Sequence, residues 1–526
     1  MVATNALDEH TTGLDADQKP PIEKTQSNVA IPIYNDVERV SSTDLSFGAI
    51  LRGKAANPLT PFEKKAALAN VELDKFGMGR YQICIWFLCG FGYFLDLAWS
   101  QGVGLIASAV YQEMNVPDSR TRDIWALANA GLAVGALTFG LLVDVIGRKW
   151  AFNLTCMITS VFGLLLAAPK YNYEAICGIY FLASLGLGGN IPIDATIALE
   201  FLPQSRRNLV TLLSLWQPIG VVAASGIAYG TAAKYRCDVD LPSCTVSSNM
   251  GWRYEVIVLG CVTLLIFFLR FFVFTFHESP KFLLSRGREA EVIEVLHEIA
   301  KFNRAPPPAL TMEMFALIDE VDSNSPMAPT DAPQGFLREI KRLKGVFGNR
   351  LQLFTFILLA IAYMGDYWSF NLVGSFLPII LLRNNVSDGR DSVSDTYEQY
   401  IIIYAPGIIG AVMGLVSVQM PLVGRKWSLN TAGYVGLNAL EYVMQTYFNA
   451  VLYASAPELF DTSYRGSVSG MLSCLGRISG IVAPFAGASY LAAESSGILW
   501  LGAGGIWLAA FVMVFLPVEM RNRQMF

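Results

Sequence analysis

The tetrapeptide Gly-Arg-Lys-Trp occurs twice in this chain of 526 residues, at Gly147–Trp150 and at Gly424–Trp427. Each copy ends an apolar run, and each is followed by a glutamate with an arginine seven positions later. These pairs are Glu200 with Arg207 and Glu458 with Arg465. Two stretches with the same markers in the same order indicate an internal duplication. In a membrane protein, such a duplication predicts two repeats with a site between them.

The apolar runs predict a membrane protein. Hydrophobic residues make up 53% of the chain and charged residues 15%, whereas soluble domains are about 25% charged. Each run can cross a hydrocarbon core about 30 Å thick at about 1.5 Å per residue. The eleven runs are Tyr81–Val110, Ile124–Val145, Ala151–Ala168, Ala175–Leu202, Val210–Ala233, Tyr254–Phe276, Leu351–Leu382, Tyr400–Leu422, Ala432–Leu459, Val468–Leu491 and Ile498–Leu516.

These runs predict an all-α, polytopic membrane protein of two pseudo-symmetric helix bundles, with six helices in the first and five in the second. Residues 81–276 form the first bundle and 351–516 the second. Polar residues 1–80 predict a disordered cytosolic tail that ends in a short amphipathic helix around Glu63–Phe76. Residues 277–350 predict a cytosolic linker with amphipathic helices at Arg288–Phe302 and Phe336–Val346, and 517–526 a cytosolic tail.

The second repeat is shorter than the first. Gly147 and Glu200 are 53 positions apart, but Gly424 and Glu458 only 34, a deficit of 19 residues. The deficit is about one membrane-spanning helix. Basic loops place both copies of the tetrapeptide inside the cell, and charge and the likeness to Glu200–Arg207 place Glu458–Arg465 inside as well. An even number of crossings is therefore required between Trp427 and Glu458. Either one helix is absent, with Ser428–Asn430 as the junction, or the interval holds one crossing and a re-entrant piece.

Several motifs resemble the major facilitator superfamily. The pattern Gly140-x-x-x-Asp144-x-x-Gly147-Arg148-Lys149 resembles the superfamily's signature between helices 2 and 3. Residues 278–288 and 457–466 resemble its sugar-porter and synaptic-vesicle-glycoprotein-related branch, and residues 188–203 are similar to fungal members of that branch. The resemblance implies twelve helices in two bundles, alternating access, and either proton coupling or facilitated diffusion. The chain departs from the pattern in its missing ninth helix and at Pro421, where the second signature would carry an aspartate.

The signature predicts a gate at the inner membrane surface. Gly147 permits a tight turn, and Asp144 could meet the N-terminal dipole of a helix from the other half. Arg148 could pair with Glu200 and would have to separate from it when that surface opens. Positive-inside anchoring by Arg148 and Lys149 is the simpler alternative. The full set of gating candidates is Gly140, Asp144, Gly147, Arg148, Lys149, Glu200 and Arg207, matched in the second half by Glu458, Arg465 and Arg477.

Acidic residues within apolar runs predict the substrate site, because ionisable groups are costly in hydrocarbon and usually face a cavity. They lie on helices that the resemblance places around the central cavity. Each could instead be satisfied by neighbouring hydroxyls or backbone. Tryptophans and amides nearby could bind a small polar solute, although packing against lipid is an equally good explanation for each aromatic. The candidates for substrate and proton binding are Asp96, Asn190, Asp194, Trp216, Gln217, Asp366, Trp368, Asn371 and Glu441.

Two features favour an extracellular position for particular loops. Asn385-Val386-Ser387 is a glycosylation sequon placed in the polar loop after Leu382, and Cys237 and Cys244 could form a disulfide in an outward loop. No nucleotide-binding loop, nucleophile–base pair or metal-ligand set is present. We therefore expect no cofactor and no enzyme activity. A net charge of −5 gives no reason to expect nucleic-acid binding.

The leading hypothesis is a monomeric, proton-coupled or facilitative transporter of a small organic solute, in the plasma membrane or in a vacuolar membrane. Its partners would be the solute, protons and the lipid bilayer. Carboxylates with aromatic side chains suit an amine or a specialised metabolite, since a cation is attracted to both. The alternative is a non-transporting receptor or regulator of transporter fold, or an inactive truncated form.

Overall fold

The computed structural model describes residues 60–237, 244–321, 347–387, 392–419, 441–460, 464–492 and 497–517. Within these ranges the regular structure is entirely helical, with no β-strand. This agrees with the all-α prediction. Eight helices are long and apolar enough to cross a membrane, and a shorter apolar helix covers Trp500–Met513.

In the first half, helices cover all six predicted apolar runs, and five of these spans are long and apolar enough to cross a membrane; Arg148–Leu165 is not among the five. The fourth crossing consists of two helices that follow each other with a short break at Gly189, and the fifth begins with short helical turns from Gln204. The helices are α2 (Arg80–Met114), α3 (Asp123–Ile146), α4 (Arg148–Leu165), α5 (Tyr173–Gly188), α6 (Asn190–Phe201), α7 (Trp216–Gly230) and α8 (Gly251–Phe268), with α1 (Pro61–Phe76) preceding them.

In the second half, described helices cover at least part of each of the five predicted runs. Three of these spans are long and apolar enough to cross a membrane, and Trp500–Met513 is a shorter apolar helix. The second crossing of this half is divided between two helices that together form one apolar span. The linker contributes α9 (Pro280–Ser285), α10 (Glu289–Asn303) and α11 (Met312–Val321). The crossings that follow are α12 (Arg350–Ser387), α13 (Ser392–Tyr404) with α14 (Gly407–Gln419), α15 (Glu441–Glu458), α16 (Arg465–Ala492) and α17 (Gly497–Met513).

The two halves pack against each other through helices α3 and α16. Large apolar side chains on the outside of the bundles, such as Leu265, Phe272 and Phe511, are more than half exposed. An apolar exterior around a polar interior is what a bilayer requires. The chain is an integral membrane protein. We call its two ends the Arg148 end and the disulfide end, after Arg148 and the Cys237–Cys244 bond.

The predicted helix around Glu63–Phe76 is present as α1, Pro61–Phe76, but it is packed on the rest of the protein and is not part of a disordered tail. Helix α1 begins with a capping box, in which Thr60 and Glu63 bond to each other's backbone amides. The Nζ atom of Lys65 is 2.5 Å from Glu289 of α10 and 2.6 Å from Asp319 of α11. Asp74 accepts a 2.6 Å hydrogen bond from the backbone amide of Gln204. Helix α1 is therefore docked on the linker.

The linker matches the prediction in part. Helix α10 covers almost the predicted Arg288–Phe302, whereas α11 was not predicted. It begins at Met312, after the three prolines 306–308 that separate it from α10. The predicted helix Phe336–Val346 lies outside the described residues. The same holds for the first 59 residues, the second Gly-Arg-Lys-Trp copy, the Ser428–Asn430 junction and the last nine residues.

Candidate functional site

A polar cavity of about 660 Å³, counting its space open to solvent, lies between the two halves. Helices α2, α3, α5 and α7 contribute to it from the first half, and α12, α15 and α16 from the second. Its polar and aromatic lining consists of Asp96, Ser100, Gln101, Trp125, Asn129, Tyr180, Gln217, Asp366, Tyr367, Phe370, Asn371, Asn449, Tyr453 and Arg477.

An ion pair joins the two halves inside this cavity. Nη2 of Arg477 on α16 lies 3.1 Å from Oδ1 of Asp96 on α2, and both side chains are buried. The Arg477 guanidinium also lies over the ring of Tyr367, 5.2 Å from its centroid. We expected Arg477 to join Glu458 and Arg465 in a gate, and that expectation is wrong. Arg477 follows Arg465 by twelve helical positions, which carries it about 18 Å towards the membrane centre.

Asp366 on α12 is the second acid of the cavity and is surrounded by neutral donors. Gln445 Nε2 donates to its Oδ1 at 3.3 Å, and the Tyr453 hydroxyl donates to its Oδ2 at 3.3 Å. The Asn449 amide, turned so that its nitrogen faces the acid, lies 2.7 and 2.8 Å from the two oxygens. No Lys or Arg among the described residues forms an ion pair with it. The three donors come from α15 and were not predicted.

Amide side chains complete the polar lining. Asn129 Nδ2 on α3 donates to Oδ1 of Asn371 on α12 at 3.0 Å, so this bond also crosses between the halves. Asn371 in turn donates to the Tyr367 carbonyl at 2.9 Å. The predicted Gln217 lines the same cavity. Asn129 was not among the predicted site residues, although an amide within an apolar run was a usable signal.

Asp194 and Asn190 do not line the cavity, in contrast to the prediction. Both are completely buried within the first bundle. Asp194 lies 3.4 Å from Nη2 of Arg270, which also donates to the Leu88 carbonyl at 2.6 Å. Asp194 lies against Gly92 of α2 and next to Arg270, just after the end of α8, and this arginine neutralises the acid.

The two predicted tryptophans also lie outside the cavity. Trp216 packs against Trp86, Phe87 and Phe91, with ring centroids 5.1–6.0 Å apart. Trp368 donates to the Leu501 carbonyl of α17 at 3.2 Å, on the far side of α12 from the cavity. Both therefore belong to helix packing.

For two further predicted residues, Glu441 and Asn385, the structure describes only the position of the backbone. Glu441 is the first residue of α15, and its side chain lies outside the described residues. Asn385 lies in the last turn of α12, which continues to Ser387, so the predicted loop after Leu382 is wrong. The sequence of that stretch is polar, but it extends the helix instead of ending it.

The Arg148 end carries a charged network. Nε and Nη2 of Arg148 each lie 3.0 Å from an oxygen of Glu200, and Nη2 lies 3.4 Å from Asp144. All three side chains are buried. Asp144 Oδ2 accepts bonds from the backbone amide and hydroxyl of Ser467, at 2.8 and 2.7 Å, in the first turn of α16. An acid of the first half thus caps a helix of the second.

The turn and the linker complete this network. Gly147 has a φ of +98°, which favours glycine. Glu278 accepts bonds from the backbone amides of Arg148 and Lys149, at 2.9 and 3.3 Å, at the start of α4. Burial raises the pKa of Glu278. Burial, followed by the nearby Arg465, lowers the pKa of Lys281 well below its usual range.

The corresponding residues of the second half lie at the same end. Glu458 and Arg465 are buried, and Nε of Arg465 donates to the Phe460 carbonyl at 3.3 Å. Arg465 also lies within electrostatic range of Glu200. Arg207 follows a short turn after α6 and is partly buried. The charged network at the Arg148 end therefore includes residues of both halves. Arg477, which we had predicted to join it, lies in the cavity instead.

Gly140 and Gly470 let α3 and α16 touch through their backbones. A Cβ atom at Gly470 would lie 2.4 Å from the Ala136 carbonyl oxygen and 2.7 Å from Gly140 Cα. Backbone atoms cannot rotate away, so even a methyl group must push the helices apart. The halves can be this close only because both positions lack a side chain.

Replacing Gly470 with alanine is therefore expected to favour separation at the Arg148 end. Overpacking costs about 1–3 kcal/mol, which shifts the equilibrium by about tenfold. A cysteine placed at the buried Val143 should then react about tenfold faster with a water-soluble maleimide. Gly178→Ala is the matched control, because nothing lies within 4 Å of a Cβ atom there. Equal rates in both variants would contradict the expectation.

At the opposite end, Cys237 and Cys244 form a disulfide with Cα atoms 6.0 Å apart. Nearby, Arg253 pairs with Glu113 at 2.7 Å. The Tyr397 hydroxyl on α13 donates to the Leu105 carbonyl on α2 at 3.1 Å, a contact between the halves. Among the described residues, no group of His, Cys, Asp or Glu has the arrangement of a metal site.

Two helical bundles that enclose a polar, ionisable cavity at mid-membrane are the arrangement of secondary transporters. Comparison with known proteins agrees. The chain belongs to the Sugar (and other) transporter family, which matches residues 85–426, and thus to the major facilitator superfamily of membrane transporters.

Individual relatives support this assignment. The chain is 34% identical to the MFS siderochrome iron transporter 1 of Ceriporiopsis subvermispora, over 88% of this chain and 92% of that protein. It is 30% identical to the uncharacterized MFS-type transporter PB1E7.08c of Schizosaccharomyces pombe, over 97% and 98%. In fold it is similar to the proton:xylose symporter XylE, with a TM-score of 0.61, 16% identity, and 85% and 98% coverage.

Proposed function

We propose that this transporter exchanges a small organic cation for a proton, by alternating access. The observation that carries the proposal is the charge balance of the cavity. Arg477 balances Asp96, whereas Asp366 is buried and bonded only to neutral donors. An unbalanced buried carboxylate is costly. The Asp366 carboxylate would be stabilised by a cation that enters the cavity, either a proton or the ammonium group of a solute.

Competition between the proton and the organic cation for the Asp366 carboxyl group would couple their movements across the membrane. Asp366 cannot hold a proton and an ammonium group together, so a cation leaves when a proton binds and enters when the proton leaves. The aromatic rings of Tyr367, Phe370 and Tyr453 line the same space. They favour an organic cation through contact between the cation and the ring faces.

Alternating access is supported by contacts between the halves at both ends. Asp144 caps α16 at the Arg148 end, and Tyr397 bonds to the Leu105 carbonyl at the disulfide end. Rocking of the halves would break one contact while keeping the other. Following the basic loops, we place the Arg148 end in the cytosol and the protein in the plasma membrane.

The test uses purified protein in liposomes that are acidic inside and neutral outside, with labelled tetraethylammonium as the probe. Exchange predicts accumulation of the probe as protons leave, and a protonophore should abolish it. Xylose and a ferric siderochrome, tested in parallel, should not accumulate under this gradient. Binding of the probe without exchange between labelled and unlabelled pools would favour the receptor alternative. Accumulation of xylose or the siderochrome in place of the cation would overturn the proposal.

A further inference from the structure

A second buried carboxyl group lies outside the cavity. Glu255 on α8 is completely buried, and neither of its oxygens has a hydrogen-bond partner among the described residues. It lies in the half of the bundle towards the disulfide end, since α8 begins four residues earlier at Gly251. An ionised carboxylate in such a place is costly. In such a place the protonated, neutral form costs less than the ionised form.

The neighbouring helices leave room for the Glu255 carboxyl group, but no described charged side chain pairs with it. Gly102 on α2 leaves room for it, since a Cβ atom there would lie 3.3 Å from Oε1 and 2.7 Å from Leu259. Ala224 of α7 lies next to the same position. The nearest arginine along α8, Arg253, is already bonded to Glu113 at 2.7 and 2.8 Å. No charged side chain among the described residues pairs with Glu255.

The second half of the protein covers this position. Tyr397 on α13 lies within electrostatic range of Glu255, and its hydroxyl donates to the Leu105 carbonyl. Arg236, after α7, acts on Tyr397 from further away. Helix α13 packs along α7, so it forms part of the contact between the halves at the disulfide end. When that end opens, α13 must move away from Glu255.

We propose that Glu255 is a proton-binding site, separate from Asp366, that stabilises the closed state of the disulfide end. Closure seals the carboxyl group in a space without a cation, where only its protonated form is stable. Opening admits water and allows ionisation. Because the closed state binds the proton more tightly, acid favours closure and alkali favours opening. With the disulfide end outside, the external pH would control access from that side.

The experiment measures access directly and needs no transported solute. A cysteine at Leu105, which is 4% exposed beneath Tyr397, reports opening through its reaction with a membrane-impermeant maleimide. A cysteine at Tyr235, which is 55% exposed, corrects for the pH dependence of the reagent. Protein without an added cysteine gives the background. The corrected rate at Leu105→Cys should rise with pH, by up to about tenfold per pH unit for one proton.

Variants at Glu255 test whether this residue causes the pH dependence of the labelling rate. Glu255→Gln mimics the neutral acid and should give a low rate that no longer changes with pH. Glu255→Asp keeps the acid and should keep the dependence. Asp366→Asn, in the cavity, should also keep it, which separates this site from the proposed transport site. Retention of the pH dependence in Glu255→Gln, its loss in Asp366→Asn, or its absence in the native protein would each overturn the proposal.

Discussion

Replacing Arg477 with alanine is expected to destabilise the folded protein by about 3–5 kcal/mol, the usual cost of removing one partner from a buried ion pair. Arg477 is 1% exposed, and its Nη2 lies 3.1 Å from Asp96 on the opposite half. Without it, the Asp96 carboxylate has no cation in the cavity. Thermal unfolding in detergent, followed by the loss of monodisperse protein in size-exclusion chromatography, measures the change.

A double variant separates the pair from the packing of the arginine side chain. Combining Asp96→Asn with Arg477→Gln removes both charges and keeps most of the volume, so much of the stability should return. Asp96→Asn alone should be destabilising, because it leaves the guanidinium unpaired. Ser473→Ala is the matched control on α16, as it removes only a weak 3.3 Å bond to Nε of Arg477. Additive effects of the two charge changes would show that the pair does not act as a unit.

Replacing Asp366 with asparagine is expected to abolish accumulation driven by the pH gradient and to weaken cation binding by about 10- to 100-fold. The weakening corresponds to about 1.4–2.7 kcal/mol, less than the roughly 4 kcal/mol between two opposite charges about 4 Å apart at an effective dielectric constant of about 20. Asparagine has nearly the same shape, so the fold should be retained. Tetraethylammonium binding and gradient-driven uptake in liposomes are the measurements.

Two variants test whether the charge of Asp366 is responsible. Asp366→Glu keeps the charge and should retain coupling to the gradient. Glu174→Gln removes an exposed acid that pairs with Arg120 at the protein surface and should leave uptake unchanged. If Asp366→Asn still accumulates the cation against the gradient, the carboxyl group does not carry the exchanged proton.

Among the described residues, the sequence was sufficient for the order of the membrane helices, because long apolar runs have few alternatives in a membrane. It was insufficient for the direction in which each acid faces. Asp96 and Asp194 look equivalent in the sequence, yet one lies in the cavity and the other pairs with Arg270 inside a bundle. The helices that carry them are apolar on most sides, so their periodicity does not reveal the inward face.

Partners of the charged residues were predictable only where they were close to a signature. Arg148 with Glu200 followed from the motif, whereas Gln445 and Asn449, which surround Asp366, belong to no motif. Arg270 could have been found as a lone cation within an apolar run, since such a residue requires a buried partner. The end of α12 beyond Leu382 was missed because polar residues continue the helix.

The docking of α1 determines where the folded unit of this transporter begins. Lys65 is enclosed by Glu289 and Asp319, and Asp74 holds the backbone at Gln204. A version shortened to the first membrane helix would lose this lysine and leave two linker acids without their shared cation. For structural or biochemical work, a shortened version should accordingly retain Thr60 and the residues that follow it.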